Sequence, residues 1–184
     1  MARLLVATVP LTGHVHPMLP LVRTLVERGH HVSWYGASKF ATVIEAAGAT
    51  YVPMLATLDW DDADIEAALP TLRGRRGLGR VKTQLREMFI SPMVDQLRDL
   101  EGVADELAPD AIIADSAHLG AALLSEKRGL PWAGVGISAL MIPSVDTAPF
   151  GSALPPSRSA AHRTTNRFLN WLILRVLFSG TNRS

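Results

Sequence analysis

Arg3-Leu-Leu-Val-Ala-Thr-Val9, the turn Pro10-Leu-Thr-Gly-His-Val-His-Pro17, and the helically spaced apolar set Met18, Leu21, Val22, Leu25 and Val26 decide the fold. An apolar run without polar alternation reads as a strand buried on both faces. Apolar residues three and four apart read as one face of a helix. Pro17 suits the first turn of that helix and Gly29 its C-terminal cap, after which His31-Val-Ser-Trp-Tyr35 reads as a second strand. The unit is β-α-β.

Working outward, Lys39 to Ala47, closed by Gly48, reads as a second helix and Thr50 to Met54 as a third strand. Right-handed crossovers make these strands parallel. From Ala56 to Arg80 the rhythm breaks: an acidic group (Asp59, Asp61, Asp62, Asp64) is followed by a Gly/Arg-rich stretch, and mobile chain is expected. Helical spacing returns over Val81 to Leu107, with Pro92 marking a kink or a restart. Asp110 to Asp115 reads as a strand, Leu119 to Arg128 as a helix capped by Gly129, and Trp132 to Ile137 as a strand. A Pro/Ser/Gly/Ala-rich stretch, Pro143 to Pro156, separates these from a last amphipathic helix at about His162 to Phe178. The expected fold is α/β, a Rossmann-like doubly wound parallel sheet of order 3-2-1-4-5 in a single domain over 1–184. No strand follows the last helix, so the sheet is expected to be truncated.

The 184 residues carry a net charge of +1 and no cysteine, which excludes disulfides, thiolate metal sites and a cysteine nucleophile. Hydrophobic residues make up 48% of the chain and charged ones 19%, against about 25% in an average domain, so disorder is excluded and some apolar surface is expected. There is no broad basic field for nucleic acid. The late apolar run Phe168 to Phe178 is far below the roughly 20 residues of a membrane span. The cytoplasm is the default location.

In a doubly wound sheet the ligand crevice opens where strand order reverses, beside the ends of the first strand and of the strand that starts the second half. The first strand delivers His14 there and the fourth delivers Asp115. A carboxylate accepting the Nδ1 proton of His14 would leave Nε2 free to take a proton from a bound hydroxyl. A turn-terminating His14 and a helix-capping Asp115 fit the pattern equally well. His16, just before Pro17, fits a turn or N-cap better than catalysis. His118 could line the same crevice or stand exposed at a helix start. Trp34, Trp60, Trp132, Met88, Met93 and Met141 suit core or rim, some of them forming an apolar pocket. Gly13 is the only glycine in the first turn, so the G-x-G-x-x-G dinucleotide fingerprint is absent, as is the G-x-x-x-x-G-K-[ST] phosphate cradle. Histidines two apart do not share a helix face, and no metal is expected.

The segment Gly13-His-Val-His-Pro-Met-Leu-Pro-Leu, with Leu-Val-Glu-Arg-Gly-His-His-Val-Ser33 after it, resembles the opening of family 1 glycosyltransferases of the GT-B fold, above all bacterial enzymes acting on macrolides and other natural products. Pro109-Asp-Ala-Ile-Ile-Ala-Asp115 and Arg128-Gly-Leu-Pro131 are similar to the family's second landmark. The resemblance implies the N-terminal, acceptor-binding half of such an enzyme, with His14 as general base and Asp115 as its orienting partner. The acceptor hydroxyl would attack the anomeric carbon of a UDP- or TDP-sugar with inversion. Gly13, His16, Trp60, Met88, His118 and Met141 are the expected substrate contacts. A small-molecule acceptor and a C-terminal donor domain are the expected partners; the nucleotide sugar is a co-substrate, and no cofactor is expected. The donor signature lies outside this sequence, so little turnover is expected of the chain alone, and an uncovered face could favour a homo-oligomer. The alternative is a non-catalytic small-molecule-binding or partner-pairing module of the same fold.

Overall fold

The computed structural model describes residues 1–137, 144–149, 152, 154–156 and 159–177. The chain forms two compact units, Met1–Ile137 and Ser138–Ser184. The first carries a five-stranded sheet of order β3-β2-β1-β4-β5, built from β1 (Arg3–Ala7), β2 (His31–Gly36), β3 (Thr50–Pro53), β4 (Ala111–Asp115) and β5 (Trp132–Val135). Every pairing is parallel, and β1 is central, with Ala7 beside Tyr35 on one side and Ala114 on the other. The order is the one expected from the sequence.

Central placement explains the apolar run: Leu4, Leu5, Val6 and Ala7 are all buried. After β1 come α1 (Thr12–Val15), a 3₁₀ turn His16–Met18 and α2 (Leu19–Glu27), whose Val22 is fully buried. Helix α3 (Ala41–Ala46) links β2 to β3. Gly48 follows it with a φ of +87°, and a Cβ there would lie 2.9 Å from Val26 Cγ1, so both backbone and packing demand glycine.

The segment between β3 and β4 is more structured than its composition suggests. It holds α4 (Ile65–Ala68), α5 (Gly77–Leu85), a π turn Arg86–Ile90 and α6 (Met93–Leu107). Pro92 occupies the N-cap of α6, so it restarts rather than kinks the helix. The turns are pinned by carboxylates: Asp61 and Asp64 accept from the Ala63 and Ala67 amides at 2.9 Å each. Helix α6 packs on α7 (Leu119–Arg128), where the buried Gln96 Oε1 accepts from the Gly120 amide at 3.0 Å. The Gly129 cap has a φ of +64°.

In the second unit α8 (Ala160–Leu177) holds the preceding chain. Arg163 Nε donates to Asp146 at 2.7 Å, Asn166 Nδ2 to the Val145 carbonyl at 3.1 Å, and Asn170 Nδ2 to that of Ser144 at 2.9 Å. Phe168, Trp171, Leu172 and Leu174 are exposed on it. Among the described residues no helix is long and apolar enough to cross a membrane.

Candidate active site

The turn leaving β1 closes on itself: the Leu11 amide donates to the Val9 carbonyl at 2.8 Å, and the His14 and Val15 amides donate to the Leu11 carbonyl at 2.9 and 3.0 Å. Val15 is fully buried and fixes one side of the turn, which leaves His14 at the C-terminal end of the central strands with its side chain 21% exposed. The neighbouring strand β4 ends in Asp115, whose side chain is fully buried. Because β1 and β4 are adjacent and in register, the two loops meet, and His14 Nδ1 lies 2.8 Å from Asp115 Oδ2.

Asp115 accepts two further hydrogen bonds, from the Ala117 amide at 2.8 Å and the Val9 amide at 3.4 Å. Both are N–H donors and suit a carboxylate. The remaining acceptor position on Oδ2 calls for a protonated Nδ1 on His14, which sets the tautomer and leaves the Nε2 lone pair unused. The two readings of Asp115 are not exclusive, since it pins its own turn through Ala117 and also holds His14.

An apolar wall stands beside this pair. Leu69, Leu72 and Met88 form a small buried cluster, against which Leu11, Trp60, Ile65, Ala68 and Phe89 pack. The Phe89 ring lies 6.0 Å from that of His14. Trp60 and Met88, singled out from the sequence, thus share one cluster. Met88 is 3% exposed and supports the wall from behind, while Trp60 and Phe89 remain partly exposed. Phe89 shares the apolar helical spacing of Leu85 and Met88 but is not among the expected substrate contacts, because spacing alone does not tell a wall residue from a core one.

Gly13 is exposed, and a Cβ there would meet nothing within 4 Å, so no packing among the described residues requires glycine. His16 opens the 3₁₀ turn, exposed, with its ring edge-on to Phe40 at 6.3 Å. It lies inside that turn, with Val15 at the N-cap, so of the two structural placements expected for it the turn is the observed one. His118 is neither exposed nor on the crevice surface. It is 1% exposed, caps α7 by accepting the Ala121 amide on Nδ1 at 3.2 Å, and meets Tyr35 edge-on at 5.6 Å. Burial pushes it down to about 4, against a smaller opposing pull from Asp115, so it is neutral at physiological pH. Its Nε2 is buried with no hydrogen-bond partner among the described residues. Trp34 is core, with Nε1 donating to Thr8 Oγ1 at 3.0 Å, and Trp132 is exposed on the outer strand. Met141 lies outside the described residues. Among the described residues no group of three or more His, Asp or Glu is placed to hold a metal ion.

The periodicity of the sequence also misses Asp99 on α6. Its carboxylate accepts the Leu55, Ala56 and Thr57 amides at 3.1, 2.7 and 3.0 Å and the Tyr35 hydroxyl at 2.7 Å. It anchors the start of the segment that carries Trp60.

No family model matches the chain. It is 37% identical over 182 residues to 4'-demethylrebeccamycin synthase of Lentzea aerocolonigenes, an alignment covering 99% of this chain and 43% of that protein. It is 32% identical over 120 residues to oleandomycin glycosyltransferase of Streptomyces antibioticus, covering 65% of this chain and 25% of that one. The chain thus spans less than half the length of these relatives. Among solved structures it is similar to the glycosyltransferase of kitacinnamycin, with a TM-score of 0.59 and 26% identity over 76% of this chain and 31% of the other. The calicheamicin glycosyltransferase gives the same TM-score and identity over 73% of this chain and 32% of the other. Similar in sequence over nearly all of its own length, and similar in its all-parallel sheet to the solved structures, the chain belongs to the glycosyltransferases of the GT-B fold.

Proposed function

We propose that the chain is the acceptor-binding half of an inverting glycosyltransferase, which moves a sugar from a UDP- or TDP-sugar to a hydroxyl of a small apolar molecule. The observation that carries this is the His14 Nδ1–Asp115 Oδ2 hydrogen bond, which orients the imidazole with Nε2 as its free base. The acceptor hydroxyl gives its proton to Nε2 as its oxygen attacks the anomeric carbon. The bond from that carbon to the diphosphate oxygen breaks, and the nucleoside diphosphate leaves with the bonding electrons. Asp115, fully buried, stabilises the imidazolium formed. Trp60 and Phe89 offer the apolar surface against which an acceptor lies, and Gly13 keeps the space beside His14 clear. Nucleotide contacts come from a second domain, the donor serving as co-substrate rather than cofactor.

The test is mass-spectrometric detection of glycoside from the chain mixed with phenolic and macrolide acceptors and UDP- or TDP-sugars. It is run with the chain alone, with the chain joined to the donor half of a relative, and with His14→Ala in each. Product that requires the donor half and disappears with His14→Ala is the expected result. Product that survives His14→Ala refutes the assignment of the base. Acceptor binding without transfer in any combination supports a non-catalytic binding module instead.

A further inference from the structure

Helix α1, which carries His14, begins at a residue unable to cap it. Leu11 holds the N-cap position and has no side-chain acceptor, so the Thr12 amide has no local partner. A carboxylate from 50 residues further along supplies one. Asp62 Oδ2 accepts the Thr12 amide at 2.6 Å, and its Oδ1 accepts the Thr12 hydroxyl at 3.1 Å. Lys39 Nζ pairs with Asp62 and lies 2.7 Å from Asp61 Oδ1. The Asp62 side chain is 15% exposed, whereas that of Asp61 is 61% exposed. The acidic group of the sequence is therefore not a uniform solvated face, because one member is turned inward onto the turn that presents His14.

The rest of the segment delivers Asp62 to that point. Asp99 holds the amides of residues 55 to 57, and Asp59 accepts the Ser38 amide at 3.1 Å through Oδ2. The chain after β3 thus crosses the ends of β2 and β1, with Trp60 two residues ahead of Asp62. We infer that Asp62 is a positioning residue for His14: by capping α1 from a distance it fixes the base and ties its placement to the segment bearing the Trp60 wall. This rests on the reading of His14 as the base, and misplacement of a reacting group by about 1 Å can cost on the order of a hundredfold in rate.

Two measurements separate this inference from that reading. The first uses the 184-residue chain without any substrate, following the His14 ring ¹⁵N shifts and Thr12 amide exchange by NMR. Asp62→Ala is expected to speed Thr12 exchange by at least about tenfold, the loss of one hydrogen bond of ordinary strength. It should also move the His14 ring nitrogens toward tautomer averaging, with the β1 and β4 amides unchanged. Asp62→Asn retains an acceptor oxygen for the Thr12 amide and should restore most of both signals. Unchanged His14 shifts in Asp62→Ala overturn the inference, as does a loss in Asp62→Asn equal to that in Asp62→Ala. The second measurement applies once the chain joined to a donor half transfers sugar. Asp62→Ala should lower kcat by about tenfold to a hundredfold with acceptor KM within about threefold, and Asp62→Asn should recover part of kcat. An unchanged kcat overturns the inference. Transfer surviving His14→Ala would remove the base assignment but leave the NMR result standing.

Discussion

Tyr35, at the end of β2, donates its hydroxyl to Asp99 of α6 over 2.7 Å, with Thr57 Oγ1 at 2.9 Å from the same oxygen. Burial alone would raise the Asp99 carboxyl, but the Ala56, Thr57 and Leu55 amides and the Tyr35 hydroxyl outweigh it and hold it below its ordinary value. A depressed carboxyl contributes stability above its unfolded pKa and loses it as pH falls through the folded value. Denaturation midpoints should therefore fall below about pH 4, and less so in Asp99→Asn. A wild-type curve that parallels the variant's across that range would contradict the assignment.

His118 titrates in a second window. Its folded pKa of about 4 lies under the ordinary 6.5, so its contribution to stability is complete above pH 6.5 and is withdrawn as pH drops toward 4. The shift corresponds to about 3 kcal/mol at most. His118→Asn keeps an acceptor for the Ala121 amide while removing the titration. Its stability between pH 7 and 4.5 should be flatter than that of wild type in urea melts.

Gly120 sits where α6 and α7 touch, and a Cβ there would lie 2.4 Å from Gln96 Cβ and 2.9 Å from the Leu97 nitrogen. Backbone atoms cannot yield as side chains do. Gly120→Ala should lower unfolding free energy by roughly 1–3 kcal/mol despite alanine's better helix propensity. A stabilised Gly120→Ala, read from thermal melts, would mean that the helices stand further apart.

His14 and Asp115 should separate on two axes. His14→Ala alters a partly exposed turn and should change stability by no more than about 1 kcal/mol, while transfer in the chain joined to a donor half drops roughly a hundredfold to ten-thousandfold. Asp115→Asn replaces an acceptor facing three donors with an amide that can satisfy fewer of them, at about 1–3 kcal/mol. It should lower both stability and transfer. A large stability loss with retained transfer in His14→Ala would mark a structural histidine.

The sheet was legible because its signals are local: an apolar run, a helical stripe and a glycine cap each recur within ten residues. The His14–Asp115 meeting was legible at one remove, since strand order alone brings the two loops together. The roles of Asp62, Asp99 and His118 were not. Each depends on a partner from another element, as in Asp62 with Thr12 or His118 beside Tyr35, and periodicity carries no information about such pairs. The four aspartates at 59 to 64 gave a partial signal, because amides at strand ends need acceptors and short acidic side chains supply them.

The parallel register of Ala7 with Ala114 also has a thermal consequence. Ladder amides at the centre of a sheet exchange only when the whole domain opens, whereas surface segments tied by side chains open at far lower cost. His14 and Asp115 hang from that central ladder, while Trp60 hangs from carboxylates. On warming, the Trp60 wall and the Asp62 cap on α1 should loosen many degrees before the ladder opens, so the wall and the setting of the imidazole fade together while the sheet is still intact.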